Sequence, residues 1–494
     1  MLYIGIELGI SEIKGILMEE SGEIVRIKLE KIDSISESEG WLEQNPSDWM
    51  GKTIDCINGL LDEDEKEKVC AISFTGLSQG VVILDADDNI IRPAILSKDK
   101  RTGSETNYLN NVIGQDKVVE LTGNIATTDF TATKLMWIHD NEYENYRKIR
   151  KIMFPKDYIQ YLFTGRHVTD YSEASGSLLY DVKNKKWSVE MLHICEIREE
   201  WMPDILESTQ RAGYLIPDIA EKLGLNENCY VTAGASDKVS KAIGLGIISN
   251  GECLIDLGKS ANILVASDEF RKDKLKALDT FIYADSKFYL DGKMLSAISC
   301  KEWWFDNILT KSEFDDAYEI LNQKVLEQKL GDNKLFFLPY LRGEKAPVND
   351  EETKGAFIGI TSETTKEDML QAIYEGVAFA LKDTIETVKK MGLEIDKITV
   401  AGEGAKGNIW KYILSNVFDS NIDIVEVEQD AAYGAAIISI AADGQYLDIE
   451  DAVDNIVHIK NTIIPDPDVV EKYKSSYEIF KMIYPSLKNV YKNM

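Results

Sequence analysis

Short apolar runs bounded by turn residues alternate with longer amphipathic stretches along most of the chain. Residues 69–74, 81–84 and 398–400 have the length and apolar content of buried strands. Residues 368–391 instead carry apolar side chains mostly three or four positions apart, which predicts an amphipathic helix. This alternation predicts an α/β protein. Further helices are predicted at residues 132–139, 155–163 and 408–418, and from residue 431 onward.

One pattern occurs twice. Residues 5–11 read Gly-Ile-Glu-Leu-Gly-Ile-Ser, and residues 254–260 read Leu-Ile-Asp-Leu-Gly-Lys-Ser. Each copy combines an apolar strand, an acidic residue, a Leu-Gly turn and a second apolar run, which is typical of a β-hairpin. Glycine at the bend permits positive φ and lets backbone N–H groups approach an anion closely. The repeat therefore predicts a duplicated architecture, in which each half brings a phosphate-binding hairpin to a shared cleft.

The length of the chain agrees with such a duplication. Its 494 residues exceed the roughly 250–300 residues at which a single hydrophobic core stops growing. The second hairpin follows directly after residues 244–251, which contain three glycines. We therefore predict two domains, residues 1–246 and residues 247–494.

Charge and cysteine content exclude several classes of protein. The 85 acidic and 55 basic residues give a net charge of −30, which argues against a nucleic-acid partner. The N-terminus lacks a signal-peptide pattern, and no stretch approaches the roughly 18–20 apolar residues that span a bilayer. The six cysteines are scattered without C-x-x-C spacing, which is typical of reduced thiols. These features predict a cytoplasmic protein with neither a nucleic-acid nor a membrane partner.

The glycine-bearing turns favour nucleotide chemistry. A nucleoside triphosphate needs backbone donors for its phosphates, a carboxylate for its metal ion and an open surface for its base. The hairpin turns at Gly9 and Gly258 offer the donors, and the turn at residues 402–404 offers the open surface. Neither a Walker A sequence nor a Rossmann glycine motif occurs. The four histidines lie away from all of these turns, so a histidine-based mechanism has little support.

A fourth turn, at residues 233–238, has two interpretations. It follows the apolar pair Tyr230-Val231 and leads into a helix-like stretch. In one interpretation Ser236 or Asp237 caps that helix. In the other, Asp237 accepts the proton of a substrate hydroxyl as the hydroxyl attacks a γ-phosphate. The residues alone leave both interpretations open.

Ordered segments across nearly the whole chain resemble the FGGY carbohydrate kinases, and among them the xylulokinase group. This many segments in order are specific for the family and much less specific for the sugar. They include Gly-Trp-Leu-Glu-Gln-Asn-Pro at 40–46, Arg-Pro-Ala-Ile-Leu at 92–96, Pro-Lys-Asp-Tyr at 155–158, Phe-Leu-Pro-Tyr-Leu at 337–341 and Glu-Gly-Val at 375–377.

The resemblance implies two actin-like, ribonuclease H-like domains with ATP, Mg²⁺ and a small sugar in the cleft between them. It implies that Asp237 is the catalytic base and that Glu7 assists catalysis by holding Mg²⁺. It also implies a homodimer. The nucleotide contacts implied are Gly9, Ser11, Lys14, Gly258, Lys259, Ser260, Gly402, Glu403, Gly404, Ala405 and Asn408. The substrate contacts implied are Ser78, Gln79, Gly80, Asp99, Arg101 and Asp237, with ion pairing as the other interpretation of Asp99 and Arg101.

Several positions depart from the family pattern, and they lie in or beside the implied site. Glu7 replaces an Asp, so a metal-binding carboxylate stands one methylene further out. The resemblance therefore leaves two hypotheses. The first is an active kinase for D-xylulose, or for another ketose, a polyol or an aldonate. The second is a catalytically weak relative that binds its ligands. The other departures are Ile10 and Ala261 in the hairpins, Lys259, Ser78-Gln79 for Met-His, Ser97 for Trp, and Lys238 for Asn.

Overall fold

Two β-sheets, one in each half of the chain, form the framework of the protein. The computed structural model describes residues 1–308, 330–425 and 431–494. The strands are β1 (Leu2–Leu8), β2 (Glu12–Glu19), β3 (Ile24–Lys31), β4 (Glu43–Gln44), β5 (Val69–Thr75), β6 (Val82–Leu84), β7 (Ala94–Ile95), β8 (Lys151–Met153), β9 (Val168–Asp170), β10 (Tyr180–Asp181), β11 (Lys186–Trp187), β12 (Asp204–Leu206), β13 (Arg211–Tyr214), β14 (Tyr230–Thr232), β15 (Glu252–Leu257), β16 (Ala261–Ser267), β17 (Leu278–Ile282), β18 (Phe288–Met294), β19 (Phe336–Leu338), β20 (Ala356–Ile358), β21 (Lys397–Ala401), β22 (Ile422–Val425) and β23 (Ile459–Ile463). The helices are α1 (Pro46–Leu60), α2 (Gly103–Asn107), α3 (Gln115–Thr122), α4 (Thr131–Asn141), α5 (Tyr143–Tyr146), α6 (Pro155–Thr164), α7 (Tyr171–Ser175), α8 (Val189–Ile194), α9 (Pro217–Leu223), α10 (Asp237–Gly244), α11 (Ile298–Ile308), α12 (Lys366–Lys390), α13 (Asn408–Phe418), α14 (Ala431–Ala442), α15 (Ile449–Ile456) and α16 (Pro467–Tyr491).

The two sheets repeat one topology. In the first, β1, β2 and β3 form an antiparallel meander, and β5 and then β14 lie parallel on the other side of β1. In the second, β15, β16 and β18 form the meander, and β21 and β22 take the parallel positions. This duplicated order confirms the predicted α/β fold with two actin-like, ribonuclease H-like domains.

The predicted elements occur close to their predicted bounds. Both hairpins are present as β1–β2 and β15–β16, and the strands expected at 69–74 and 398–400 are β5 and β21. The helix expected at 368–391 is α12, which begins earlier because Thr365 and Asp368 form a capping box. The remaining predicted helices are α4, α6, α13 and α14.

Helices α10 and α14 lie side by side between the two sheets. A Cβ on Gly434 of α14 would lie 1.7 Å from the Ser240 carbonyl oxygen of α10, so the helices touch backbone to backbone. A Cβ on Gly5 of β1 would lie 2.0 Å from the Ala432 carbonyl oxygen. Only glycine fits at these two contacts, because any side chain there would meet main-chain atoms. The layer that α10 and α14 form joins both sheets, because one hydrophobic core cluster includes residues of the two helices and of strands from each sheet.

A late segment of the chain, residues 431–456, returns to the first sheet. Asp443 follows α14 and accepts hydrogen bonds from the Tyr3 hydroxyl at 2.9 Å and the Tyr230 hydroxyl at 3.2 Å. Further on, Ile456 of α15 packs against Gly22 in the turn between β2 and β3. The predicted boundary at 246/247 lies between the last strand of one sheet and the first strand of the other. Residues 431–456 nevertheless cover the first sheet, although they follow this boundary in the sequence. A division at a single point of the chain therefore separates them from the sheet on which they pack.

Strand β17 at one edge of the second sheet is tied to the first domain. The Asn124 side chain donates to the Thr280 carbonyl at 2.8 Å and accepts from the Thr280 amide at 2.7 Å. The Ile282 amide donates to the Ser175 hydroxyl at 3.1 Å. These bonds fix the second sheet across the cleft. Among the described helices, none combines the length and apolar content needed to cross a membrane.

Candidate active site

The carboxyl ends of parallel strands β1, β5 and β14 meet at one edge of the first sheet, where α/β proteins commonly bind ligands. This edge brings Glu7, Ser78 and Asp237 into one region, although they are distant in sequence. The turns pack closely because glycine occupies their tightest points. Gly76 has φ +109°, and a Cβ there would lie 2.1 Å from the Leu8 carbonyl oxygen.

A cavity of about 440 Å³ opens at this edge and is lined from both domains. Four of the predicted site residues line it, namely Ser78, Gln79, Asp237 and Ser260. The lining is mostly polar, as binding of a polyhydroxylated molecule requires. The other lining residues are Ser97, Lys98, Lys100, Asp129, Ser172, Glu173, Gly176, Ser236, Lys238, Asn262, Phe281, Tyr289 and Lys293.

Asp237 is the first residue of α10 and faces this cavity. Its Oδ1 atom accepts the Lys238 amide at 2.7 Å, and its own amide donates to the Ser78 hydroxyl at 3.0 Å. The Ser236 side chain makes no capping bond to the helix. Ser236 therefore does not cap this helix, whereas Asp237 holds one of its first amides and still faces the cavity with its carboxylate.

Ionisable groups lie buried beneath this turn. The Lys156 ammonium lies 2.5 Å from Asp157 Oδ1 and 3.0 Å from Asp170 Oδ1. Glu173 is 1% exposed and lines the cavity, and its oxygens accept the Ser78 hydroxyl at 2.8 Å and the Gln79 amide at 3.0 Å. Burial raises the pKa of Glu173 to about 8, although Lys156 opposes the shift. Burial likewise raises the pKa of Asp157 to about 6.

Gly80, a predicted substrate contact, lies outside the cavity lining. A Cβ at Gly80 would lie 2.7 Å from the Pro155 ring, so glycine allows this turn to pack on the start of α6. Glycine here shapes the turn that presents Ser78 and Gln79.

The two hairpins present equivalent carboxylates. Glu7 precedes the turn at Gly9 and pairs across the hairpin with Lys14, while Ser11 is exposed in the turn. Asp256 occupies the position equivalent to Glu7 in the second hairpin, and the Lys241 ammonium of α10 lies 2.6 Å from its Oδ2 atom.

The third glycine turn packs against the second hairpin. Gly402 has φ +84°, and a Cβ there would lie 2.7 Å from Asp256 Oδ1. Gly404 is buried against the Leu257 side chain. Gly402, Glu403 and Asn408 are exposed and Ala405 is half-buried, so this turn offers an open surface beside the hairpin.

Lys259 lies on the outer side of its hairpin. Its ammonium is 3.6 Å from a Glu302 carboxylate oxygen, and the side chain is 75% exposed. Lys259 does not line the cavity, whereas its neighbours Ser260 and Asn262 do. The hairpin is anchored by its carbonyls, since the Ile298 amide donates to Gly258 at 3.0 Å.

Asp99 and Arg101 pair with each other below the cavity. Arg101 donates to Asp99 through Nε at 2.9 Å and Nη2 at 2.7 Å, and its Nη1 lies 2.6 Å from Glu43. Its guanidinium lies 3.7 Å from the centre of the Trp41 ring. Both side chains are almost fully buried, and neither lines the cavity. The pair instead holds residues 97–100, of which Ser97, Lys98 and Lys100 reach the cavity.

Lysines are the commonest charged residues of the lining, although the chain carries −30 overall. Lys238 pairs with Asp291 at 2.6 Å, whereas Lys100 and Lys293 lie 3.0 and 3.4 Å from the single carboxylate of Asp129. The two lysines outweigh burial and lower the pKa of Asp129 to about 2. Lys98 makes no ion pair with any residue that the structure describes. The lining holds four lysines and three carboxylates, and Asp291 outside the lining pairs with Lys238, so the charges are close to balanced and Lys98 is a lysine available to a bound anion.

The lining residues that were not predicted from the sequence include Asn262 and Lys293 of the second sheet and the acids Asp129 and Glu173 of the first domain. Asn262 follows Ser260 by two positions, and strand alternation places both on one face, so this signal was available. Lys293 lies directly opposite Asn262 in the β16–β18 ladder, which only the register reveals. Asp129 and Glu173 lie in segments whose position depends on tertiary packing.

The residues present fit a magnesium nucleotide. Across the described ranges, no three His, Cys, Asp or Glu side chains are close enough to enclose a metal ion. Mg²⁺ commonly binds one or two protein carboxylates and completes its coordination with phosphates and water. A single carboxylate at the edge of the cleft, such as Glu7, suits that chemistry.

A duplicated ribonuclease H-like fold brings a polar cavity, an aspartate and two glycine hairpins to one cleft, which suits phosphoryl transfer to a polyhydroxylated substrate. Residues 2–244 match the N-terminal domain and residues 255–442 the C-terminal domain of the FGGY family of carbohydrate kinases. The chain belongs to this family. It therefore transfers a phosphate from ATP to a sugar, with Mg²⁺ as the cofactor.

Similar proteins cover almost the whole chain. The chain is 31% identical to a xylulose kinase of Staphylococcus xylosus, over 97% of this chain and 99% of that protein. It is 32% identical to a xylulose kinase of Escherichia coli (strain K12), over 98% and 99%. The crystal structure of a xyloylose kinase from Brucella ovis superposes with a TM-score of 0.92 at 29% identity, covering 99% of this chain and 100% of that one.

Proposed function

We propose that the protein transfers the γ-phosphate of ATP to a hydroxyl of D-xylulose and forms D-xylulose 5-phosphate. The full-length similarity to proteins named xylulose kinases supports this substrate. The observation that carries the proposed chemistry is Asp237, a carboxylate that faces a polar cavity between the two domains. We place the enzyme in the cytoplasm, where ATP is available and where its six free cysteines would stay reduced.

In this proposal Asp237 accepts the proton of the attacking hydroxyl, while Ser78 and Gln79 orient the sugar. The other backbone amides of the turns at Gly9 and Gly258 bind the phosphates, since the amides of the two glycines donate to Glu12 and Ser260 within the hairpins. Glu7 holds Mg²⁺, which neutralises charge on the phosphates when it is bound. The exposed turn at residues 402–405, with Asn408, contacts the nucleotide.

The direct test couples ADP release to a panel of ketoses, polyols and aldonates in the presence of Mg²⁺ and ATP. We expect turnover with D-xylulose, and a decrease in kcat of about 10²–10⁴-fold for Asp237→Asn, the range typical of a lost general base. Near-wild-type turnover by Asp237→Asn would contradict its role as the base. ATP binding without turnover of any sugar would favour the catalytically weak relative.

An aldonate is a second candidate, and the lysines of the cavity favour it. A carboxylate on the substrate would pair with Lys98, which makes no ion pair among the described residues, whereas a neutral ketose offers it no charged partner. A hydrogen bond between charged groups contributes about 1.5–3 kcal/mol, which is at least tenfold in affinity. The aldonate hypothesis therefore predicts a preference for a polyhydroxylated acid over the matching alcohol.

The two candidates are separated by comparing kcat/KM for D-xylulose, D-gluconate and D-glucitol. If the substrate is an aldonate, Lys98→Gln lowers kcat/KM for D-gluconate at least about tenfold and changes D-glucitol little. Lys183→Gln is the control, since this exposed lysine lies away from the cavity. Efficient turnover of D-xylulose alone, insensitive to Lys98→Gln, would reject the aldonate.

We also propose a homodimer, which rests on the family resemblance alone. Size-exclusion chromatography with light scattering would test it. A mass near the 55.7 kDa of one chain would reject it.

A further inference from the structure

Two serine hydroxyls hold the backbone amides at the start of α10. The Asp237 amide donates to Ser78 Oγ at 3.0 Å, and the Ser236 amide donates to Ser172 Oγ at 2.8 Å. The first amides of a helix have no partner within the helix, so they need acceptors from elsewhere. Here the acceptors are side chains of two other segments, which therefore determine where α10 begins.

Each serine is in turn anchored to a buried carboxylate. Ser78 donates to Glu173 Oε2 at 2.8 Å, and Ser172 donates to Asp170 Oδ2 at 2.5 Å. A hydroxyl has one hydrogen to donate and two lone pairs with which to accept. Because Glu173 takes the hydrogen of Ser78, the lone pairs of Ser78 are directed to the Asp237 amide. The Asp237 amide can only donate, so Ser78 Oγ is its acceptor in either protonation state of Glu173.

The carboxylates converge on one cation. Lys156 is fully buried, and its ammonium contacts Asp170 and donates to the Ala233 carbonyl at 3.0 Å. Ala233 begins the turn that leads to Asp237, so one lysine contacts both the turn and Asp170, the carboxylate that anchors Ser172. The second oxygen of Glu173 holds the amide of Gln79 in the neighbouring turn.

We propose that Glu173, acting through the hydroxyl of Ser78, is a positioning residue for Asp237. This inference rests on the proposed role of Asp237 as the base. The relay fixes the main chain at Asp237, and the Lys238 amide then holds its Oδ1 atom. Within the described residues no hydrogen bond occupies Oδ2, which leaves that atom for a substrate hydroxyl. Displacement of a catalytic group by about 1 Å can cost about 10²-fold in rate.

The test compares Ser78→Ala with Ser177→Ala in the full-length enzyme. Ser177 is a matched control, because its buried hydroxyl donates to the Ala174 carbonyl at 2.6 Å, outside the cavity lining. We expect Ser78→Ala to lower kcat about 10- to 100-fold with little change in KM for ATP. We expect Ser177→Ala to keep kcat near that of the wild type. A rise in KM for the sugar with unchanged kcat would overturn the inference, since Ser78 would then serve sugar binding alone.

A double-mutant cycle examines whether Ser78 acts through Asp237. In the Asp237→Asn background, Ser78→Ala should cost less than about twofold, because the group that it positions no longer acts as a base. If the decreases in kcat of the two single variants multiplied in full in the double variant, the inference would be overturned.

Hydrogen–deuterium exchange gives a readout that does not need turnover. Exchange in residues 233–244 should accelerate in Ser78→Ala and Glu173→Gln and stay unchanged in Ser177→Ala. Unchanged exchange in all three variants would overturn the inference. If the wild-type enzyme turned over no sugar in the panel, the proposed function would fail, and this measurement alone would decide whether the relay holds α10.

Discussion

The contact between α10 and α14 makes a strong prediction for Gly434→Ala. The added Cβ would lie 1.7 Å from the Ser240 carbonyl oxygen, whereas ordinary contact begins at 3.4 Å. The two helices must therefore separate by about the difference, 1.7 Å. Because both contacting atoms belong to main chains, no side-chain rotation relieves the clash.

The expected cost follows from two opposing effects. Overpacking of a core costs about 1–3 kcal/mol and occasionally more, while Gly to Ala within a helix contributes up to about 1 kcal/mol of stability. A backbone clash belongs at the upper end of the first range, so we expect a net loss of about 2 kcal/mol or more. Helix α10 also carries Asp237 at its first position, and a shift of about 1 Å there should lower kcat by about 10²-fold.

Urea unfolding and steady-state kinetics of the same preparation measure both effects. Gly51→Ala is the control, since Gly51 also lies in a helix and a Cβ there meets no atom within 4 Å. It should stabilise the protein by up to about 1 kcal/mol and leave kcat unchanged. If Gly434→Ala were as stable and as active as Gly51→Ala, the proposed role of this crossing would be wrong.

Three further predictions concern other parts of the molecule. Burial raises the pKa of Glu375 to about 7 from the ordinary 4.5, so its contribution to stability is complete below pH 4.5 and is lost as the pH rises through 7. By linkage the free energy of unfolding falls by about 3 kcal/mol. Glu375→Gln should therefore make the urea midpoint less dependent on pH between 5 and 8, and an unchanged pH dependence would refute this account. Arg101→Leu leaves the buried Asp99 without its cation, although Glu43 keeps Arg92, and should cost about 3–5 kcal/mol in urea unfolding; a loss below about 1 kcal/mol would contradict the buried pairing. Gly402→Ala combines a positive φ with a contact to Asp256 and should raise KM for ATP with little change in KM for the sugar, and equal changes in both would argue against a nucleotide-specific turn.

Local patterns predicted the elements and the ends of the parallel strands. The hairpins at Gly9 and Gly258 follow from alternation and turn chemistry within about fifteen residues, so they were readable without tertiary information. Local pattern also marked the turn at Asp237, but it left helix capping and catalysis both open, and only the family resemblance implied the catalytic role. Each of these features depends on neighbours in the chain.

The features that were missed depend on contacts between distant segments. Lys293 reaches the cavity because the register of β16 and β18 sets it opposite Asn262, and no periodicity encodes a register. Arg101 matches a family motif, but its orientation away from the cavity is determined by Trp41 and Glu43, more than fifty residues earlier. Ser78 lines the cavity, as its predicted contact with the substrate requires, but its bonds to Glu173 and to the Asp237 amide join distant segments and follow from no local pattern.

The return of residues 431–456 to the first sheet has a consequence for synthesis of the protein. On the ribosome, the strands of that sheet are complete when β14 emerges, but α14 follows only after roughly 200 further residues, or about 10–40 s at ordinary elongation rates. During that interval the apolar face that receives α14 lacks its native cover. The nascent chain should therefore recruit holding chaperones until residues 431–456 appear, and residues 1–246 produced alone should aggregate.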